Sequence, residues 1–587
     1  MRNPFRPGPR GAARPLLLLV LLALLAPAPP ARTYAQSQRR DEAARRAAIS
    51  TSRARPARPR LVLLIAVDQF RYDYIERFGD LFAENGIRRL LRDGASWSEA
   101  NYDHVPTETA PGHATMLTGA WPSETGIIAN DWYDRAEGKR VNNVGDDTAR
   151  ALGGGAGEVA SSPRNLLCST LGDELKLATN NRSRVVGVSL KNRAAILPAG
   201  RMADAAYWLS TQTGDFVSST YYFERLPEWV ARFNASKPSD KFFGAKWERL
   251  LPAAEYERRA GPDDAPWEQG GDKRSYIFPH VITGGLEKPG PEFYDALAYS
   301  PFTNDVLVDF AAQALTGERL GEDSDADVLT VSFSANDIVG HRYGPYSQEV
   351  MDVTLRVDRQ IARLLDLVDA RVGLRNTVVA FTADHGVAPS PPHAASVRLP
   401  GSYVKVTEVM NAVRNRLRVR FGKSSERDTT ADYVQIYSNG QIYFNRTALE
   451  RDGVQIEDAE RVAGEAALTI PGVARYFTRT QLLNSGVSQG DAVARRVLHG
   501  YNARRSGDVV LISEPFRYLA DYVAVATHGT PYSYDTHVPL IIMGGGVAAG
   551  RYRQAASPAD IAPTLASVLG VQPPSSATGR VLAEALR

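Results

Sequence analysis

The sequence has little of the chemistry that staples or anchors a chain. It holds one cysteine, Cys168, in 587 residues. That excludes an intramolecular disulfide and any cysteine-rich metal site, and leaves Cys168 as a small buried hydrophobe. Histidine is also scarce, with nine, so each can be weighed singly. No internal repeat is visible. Net charge is small, +3, but unevenly spread: thirteen of the 69 basic residues and two of the 66 acidic ones fall in residues 1–60, leaving 56 basic against 64 acidic residues. A mildly acidic body carries no basic footprint for nucleic acid. With 43% hydrophobic residues, it has enough apolar surface to fold, which excludes disorder over its bulk.

The first 35 residues have the layout of a secretory signal. Arg2, Arg6, Arg10 and Arg14 precede an apolar run at 16–26, and small residues end the segment near Ala35. Eleven apolar residues fall short of the ~20 that span a bilayer, no Arg-Arg pair precedes them, and no cysteine offers a lipid site. The expectation is cleavage of 1–35, a flexible Arg/Ala/Pro-rich tether over 36–60, and a mature protein free in the periplasm or outside the cell.

From residue 61 the chain predicts a single large α/β domain with a largely parallel sheet. The runs 61–67, 185–190, 328–333, 377–382 and 538–543 are continuously apolar, as strands buried on both faces are. Residues 560–570 predict a helix, with Asp560 first, an early proline and a terminal glycine. Two stretches break the strand–helix rhythm, about 205–300 and 395–500, and are expected to be insertions at the sheet edge. The first holds Trp208, Trp229, Trp247 and Trp267, more in keeping with core than with a substrate platform.

Polar residues fall where the strands end. Asp68, Lys191, Asp337 and Asp384 each follow an apolar run without an intervening helix, and ligands of open α/β sheets bind beyond the carboxyl ends of strands. Asp337 and His341 stand four apart, on one face of a helical turn. Asp384 and His385 are adjacent and converge only if the chain turns, which Gly386 permits. With Asp68 and His537 these make three carboxylates and three imidazoles. Such donors without thiolate suit zinc before manganese or magnesium. His113 and His528 are expected to support the site or the fold rather than bind.

The segment 103–113 (DHVPTETAPGH) carries the most specific signal. With 126–133 (GIIANDWY), 189–193 (SLKNR), the Asp337/His341 pair, 382–386 (TADHG) and the segment around His537, it resembles the alkaline phosphatase superfamily, in particular the bacterial phosphate-irrepressible alkaline phosphatases related to nucleotide pyrophosphatase/phosphodiesterases. The resemblance covers most of residues 61–570. It implies a three-layer α/β/α sandwich and two zinc ions, one held by Asp337, His341 and His537, the other by Asp68, Asp384, His385 and the hydroxyl of Thr109. It further implies that Thr109 is the nucleophile, passing through a phospho-threonine, and that Asn130, Lys191 and Arg193 bind the phosphoryl oxygens.

Residue chemistry bears on these roles independently. A threonine hydroxyl is a weak nucleophile and needs activation. Lys191 and Arg193, two apart, are expected to share one side of an extended segment; two cations favour the nearly dianionic phosphate monoester over the singly charged diester. A sulfatase would need cysteine or serine at position 109. The reading is an exported alkaline phosphatase that hydrolyses small phosphate monoesters as a monomer. The alternatives are a phosphodiesterase or nucleotide pyrophosphatase on the same scaffold, and a non-catalytic phosphate-binding protein.

Overall fold

In the computed structural model, which describes residues 58–268, 276–422, 432–521 and 525–587, the run Leu61–Val67 (β1) is a strand with every residue buried. Its side chains alternate between two cores. Leu61, Leu63, Ile65 and Val67 enter the larger, Val62, Leu64 and Ala66 the other. Each buried valine, leucine or isoleucine contributes ~1.5–3 kcal/mol, which fixes the carboxyl end of the strand firmly enough to hold a buried carboxylate there.

Nine more strands complete the sheet: Ala95–Ala100 (β2), Ala151–Leu152 (β3), Val185–Ser189 (β4), Ala205–Leu209 (β5), Phe216–Ser219 (β6), Asp327–Phe333 (β7), Thr377–Thr382 (β8), Leu540–Gly544 (β9) and Gly550–Ala556 (β10). Their order is β10-β2-β9-β8-β1-β7-β4-β5-β6-β3. The central run β8-β1-β7-β4-β5 is parallel throughout, as expected. The flanks are mixed, with β9 antiparallel to β8 and β2 and with β6 and β3 antiparallel at the far edge. Helices Phe302–Gly317 and Gln348–Arg371 pack on one face. Helices Thr109–Thr118 (α1) and Ile561–Leu569 pack on the other, the latter closed by Gly570 in the left-handed region as its sequence predicts. Three layers result.

The insertions have different bounds from those expected. β5 and β6 belong to the main sheet, so the first departure begins after residue 219. Its aromatics are core: Trp247 is buried and its indole N–H donates to Asp352 at 2.6 Å. The second insertion forms its own antiparallel sheet of Val434–Ser438, Gln441–Phe444, Val509–Ser513 and Val473–Thr478, covered by helices Val406–Phe421 and Ile456–Ala467 over a separate core. It runs past residue 500, because Val509–Ser513 is one of its two inner strands. The expected leader, and the tether up to residue 57, lie outside the described residues. Among the described residues no helix is long and apolar enough to cross a membrane.

Candidate active site

Four neighbouring parallel strands, β8-β1-β7-β4, deliver side chains to one edge. Asp68 follows β1 directly. After β7 the chain enters helix Ala335–Tyr343 (α2), which carries Asp337 in its first turn and His341 one turn on. After β8 come Asp384 and His385. After β4 comes Lys191, ahead of helix Asn192–Ala199 (α3). The turns are tight enough to require glycine: a Cβ on Gly386 would lie 2.2 Å from the Tyr534 carbonyl oxygen, and one on Gly112 would lie 2.2 Å from that of Asp384. The second contact draws α1, with Thr109 at its start, against the Asp384 segment.

The donors converge. His341 Nε2 is 3.2 Å from Asp337 Oδ1 and His528 Nε2 is 3.7 Å from the same oxygen. His385 Nε2 lies 3.5 Å from Asp68 Oδ1, 3.4 Å from Asp384 Oδ2 and 3.5 Å from Thr109 Oγ1. Two overlapping sets, Asp337–His385–His528 and Asp68–Asp384–His385, each have ligand atoms within 4.8 Å of one another. In all three histidines Nδ1 faces a backbone carbonyl: Ala526 for His341 at 2.8 Å, Gly386 for His385 at 2.9 Å, Thr107 for His528 at 2.7 Å. A carbonyl only accepts, so Nδ1 carries a proton in each, and the neutral ring then turns the Nε2 lone pair inward, the tautomer that metal-binding imidazoles adopt. At His341 burial favours that neutral form, while the Asp337 carboxylate outweighs it and holds the imidazole above its ordinary range.

Charge at this edge is unbalanced. The Lys191 ammonium bridges Asp68, at 2.6 Å, and Asp337, but one ammonium faces three buried carboxylates. Asp68 Oδ1 and Asp384 Oδ2 are buried without a well-aligned hydrogen bond, Asp384 Oδ2 having His113 Nδ1 at 3.2 Å beside it, a costly state for a carboxylate. Burial, reinforced by the charges of Asp337 and Asp384, pushes the Asp68 carboxyl well above its ordinary range. Burial also holds His528 well below the usual histidine range, with His385 and His341 adding to the effect. A neutral imidazole and unpartnered carboxylate oxygens are a fitting donor set for a divalent cation.

Around the donors lies a polar shell. Thr109 is 1% exposed and is the first residue of α1, where free N–H groups and the helix dipole favour an anion. Asn130 is held from both ends: its Oδ1 accepts the Ala110 N–H at 3.0 Å, and its backbone N–H donates to Glu108 Oε2 at 2.7 Å. That carboxyl is pushed up to about 7 by burial, with the Asn130 N–H and Arg193 opposing and Asp131 adding. His113 takes the supporting place expected of it, its Nδ1 donating to the Thr109 carbonyl at 2.9 Å and its Nε2 meeting Ser332 Oγ at 2.7 Å.

Two expectations do not survive. Lys191 and Arg193 are not on an extended segment. β4 ends at Ser189, Lys191 caps α3, and Arg193 is in its first turn, close enough for its charge to bear on both Lys191 and Glu108. His537 is not in the donor cluster. Its Nε2 is committed to the Ser98 carbonyl at 2.8 Å and its ring stacks on Tyr72 at 4.3 Å between centroids, because Asn101 and His537 bridge across the edge of the sheet. His528 stands in the cluster instead. A signal existed: His385 and His528 are both followed by glycine, and Gly529 has φ +115°, whereas His537 leads straight into a buried segment. Sequence reasoning also missed Gln69. It sits at φ +63°, a strained conformation for a residue with a side chain, with its N–H donating to Asp384 Oδ1 at 3.0 Å and its amide to Asp337 Oδ1 at 2.7 Å.

Comparison with known proteins agrees with this geometry. The family model for type I phosphodiesterase / nucleotide pyrophosphatase matches residues 62–532. The chain is 36% identical over 532 residues to alkaline phosphatase PafA of Elizabethkingia meningoseptica, covering 90% of this chain and 95% of that protein. It is 34% identical over 551 residues to alkaline phosphatase PhoV of Synechococcus elongatus, covering 90% and 94%. It is 35% identical over 532 residues, 90% and 95%, to a Myroides odoratus protein named calcium-transporting ATPase. The crystal structure of wild-type PafA superposes with a TM-score of 0.83 over 91% of this chain and 100% of that one, at 35% identity. A PafA variant with a threonine, an asparagine, a lysine and an arginine replaced superposes with a TM-score of 0.82, at 34% identity, over 91% and 100%.

Proposed function

The chain belongs to the type I phosphodiesterase / nucleotide pyrophosphatase family, and from that premise we propose how its site works. It is a phosphomonoester hydrolase on the alkaline phosphatase scaffold, like PafA and PhoV among its relatives. One observation carries the mechanism: bare imidazole nitrogens and unpartnered carboxylate oxygens converge around the buried hydroxyl of Thr109. Asp337, His341 and His528 would hold one divalent ion; Asp68, Asp384, His385 and the Thr109 hydroxyl would hold a second. Donors of nitrogen and oxygen without sulfur favour zinc, with manganese or magnesium less suited. When bound, such ions supply Lewis-acid stabilisation of negative charge on oxygen.

The chain's own groups do the positioning. Thr109 Oγ attacks phosphorus, the ester oxygen leaves with the alcohol, and water then cleaves the phospho-threonine. Asn130, its Oδ1 occupied by Ala110, keeps its amide N–H groups for a phosphoryl oxygen. Lys191 and Arg193 balance the charge of the phosphoryl group, and preorganised charges of this kind carry most of the catalysis in phosphoryl transfer. The four residue types replaced together in the PafA variant match Thr109, Asn130, Lys191 and Arg193 in kind. The threonine and asparagine there have the same separation as here, and the lysine and arginine are likewise two apart. Export after cleavage near Ala35, a monomeric state and small esters as substrates, without nucleic acid or membrane as partner, complete the reading.

The test is a panel of phenyl phosphate and methyl phenyl phosphate. The monoester is expected to be the better substrate, and Arg193→Ala is expected to cost it about 10–100-fold, the worth of a charge-assisted hydrogen bond, with a much smaller loss on the diester. A preference for the diester, or equal losses, would sink the monoesterase assignment. Gln69→Ala removes a hydrogen bond to the proposed ligand Asp337. It should weaken divalent-metal binding about 10–100-fold with secondary structure unchanged, measured by metal titration against circular dichroism. Unaltered affinity would reduce Gln69 to filling space.

A further inference from the structure

A cavity of about 400 Å³ opens on the donor cluster, with His341 and His528 in its wall beside Glu108 and Asn130. It lies within the ~300–1,000 Å³ typical of small-molecule sites. One side is the segment before α1 and the loop carrying His528; the other is the second insertion, through strand Val509–Ser513 and residues 517–520. The insertion thus builds the wall that faces whatever is attached to the phosphoryl group.

The lining has a distinct character. Val497, Val510, Ile512 and Leu519 make an apolar side, and Tyr437 and Tyr518 add aromatic surface. Arg517 is occupied by Glu514, at 2.7 Å, and by the Ser402 hydroxyl. Asp131 has Arg140 at 3.5 Å. Glu108 also lines the cavity: Oε2 takes the Asn130 N–H, and among the described residues no guanidinium is bonded to it, the nearest cationic influence being that of Arg193 in the first turn of α3. A leaving group entering here therefore meets apolar and aromatic surface and a carboxylate, with the guanidinium of Arg517 already engaged.

Building on the monoesterase reading, we propose that this cavity is the leaving-group subsite, that it selects phosphate monoesters of bulky uncharged alcohols such as aryl alcohols and nucleosides, and that Glu108 disfavours leaving groups bearing a further negative charge. Like charges brought together at short range cost both affinity and encounter rate. The Thr109 hydroxyl gives up its proton to solvent as Oγ bonds to phosphorus; the ester oxygen leaves with the electron pair of the broken P–O bond, takes up a proton from water, and the alcohol departs through the same cavity.

The experiment uses the metal-replete full chain at alkaline pH and compares 4-carbamoylphenyl with 4-carboxyphenyl phosphate, which differ in charge but little in shape. The neutral ester is expected to have a kcat/KM about tenfold higher, and Glu108→Gln is expected to bring that ratio close to one. Val510→Phe, which fills the apolar side, is expected to lower kcat/KM for 1-naphthyl phosphate about tenfold relative to ethyl phosphate. No preference in the wild type, a ratio unmoved by Glu108→Gln, or equal effects of Val510→Phe on both esters overturns the proposal. Should Glu108→Gln fail to fold, the wild-type ratio and Val510→Phe still decide. If no ester is turned over at all, phenyl phosphate included, the monoesterase reading falls and this proposal with it.

Discussion

Thr109→Ala is expected to lower turnover of phosphate monoesters by about 10³-fold or more, the scale on which removal of a covalent nucleophile acts, while leaving most of the divalent metal bound. Its hydroxyl oxygen lies among the donors, 3.5 Å from His385 Nε2. Its loss removes one of the four donors proposed for that ion, and Asp68, Asp384 and His385 remain. The fold should tolerate the change. Alanine is the best helix former, and the contact that Thr109 makes through its main chain, the carbonyl accepting from His113, does not depend on the side chain. Thr109→Ser, which keeps the hydroxyl, should retain substantial activity. Initial rates with phenyl phosphate, alongside metal content of the purified variants, separate the outcomes. Near-normal turnover by Thr109→Ala would mean that water attacks phosphorus directly and that no phospho-threonine forms.

Much of this site is legible in the sequence because of how parallel sheets are built. A strand buried on both faces must be apolar along its whole length, so the first acid after such a run marks the sheet edge. Asp68, Asp337 and Asp384 declare themselves in this way, and the spacing of Asp337 and His341 adds the helical face they share. What the sequence did not reveal arrives without a strand in front of it. His528 sits on a loop, and its place beside Asp337 follows from long-range packing that brings Thr527 and Ala526 against the segments of residues 388 and 341. The conformation at Lys191 was misjudged for a related reason: α3 starts immediately after β4, and two polar residues cannot tell an extended end from a helix cap. The bounds of the second insertion were missed because Val509–Ser513 pairs with strands far back in the chain, and nothing local marks that partnership.

His528→Ala and His537→Ala are expected to part company, and the difference tests the ligand assignment more sharply than either variant alone. His528 is half-buried, held neutral, and directs Nε2 at the donor set with its Nδ1 fixed on Thr107. Removing it takes away a proposed ligand, so metal affinity and activity should fall by more than the ~10–100-fold that losing an outer hydrogen-bond partner costs. Added zinc should restore turnover only in part. His537→Ala removes a hydrogen bond to Ser98 and a stacked contact with Tyr72, interactions worth about 1–2 kcal/mol together. The expected cost is a lowered unfolding midpoint, with metal content and turnover per folded molecule unchanged. Metal analysis and chemical denaturation of the two variants, done together, decide between them. If His537→Ala lost the metal and His528→Ala kept it, the third donor beside Asp337 and His341 would have to come from the bridge at Asn101, and the convergence around Thr109 would need a different set of elements to build it.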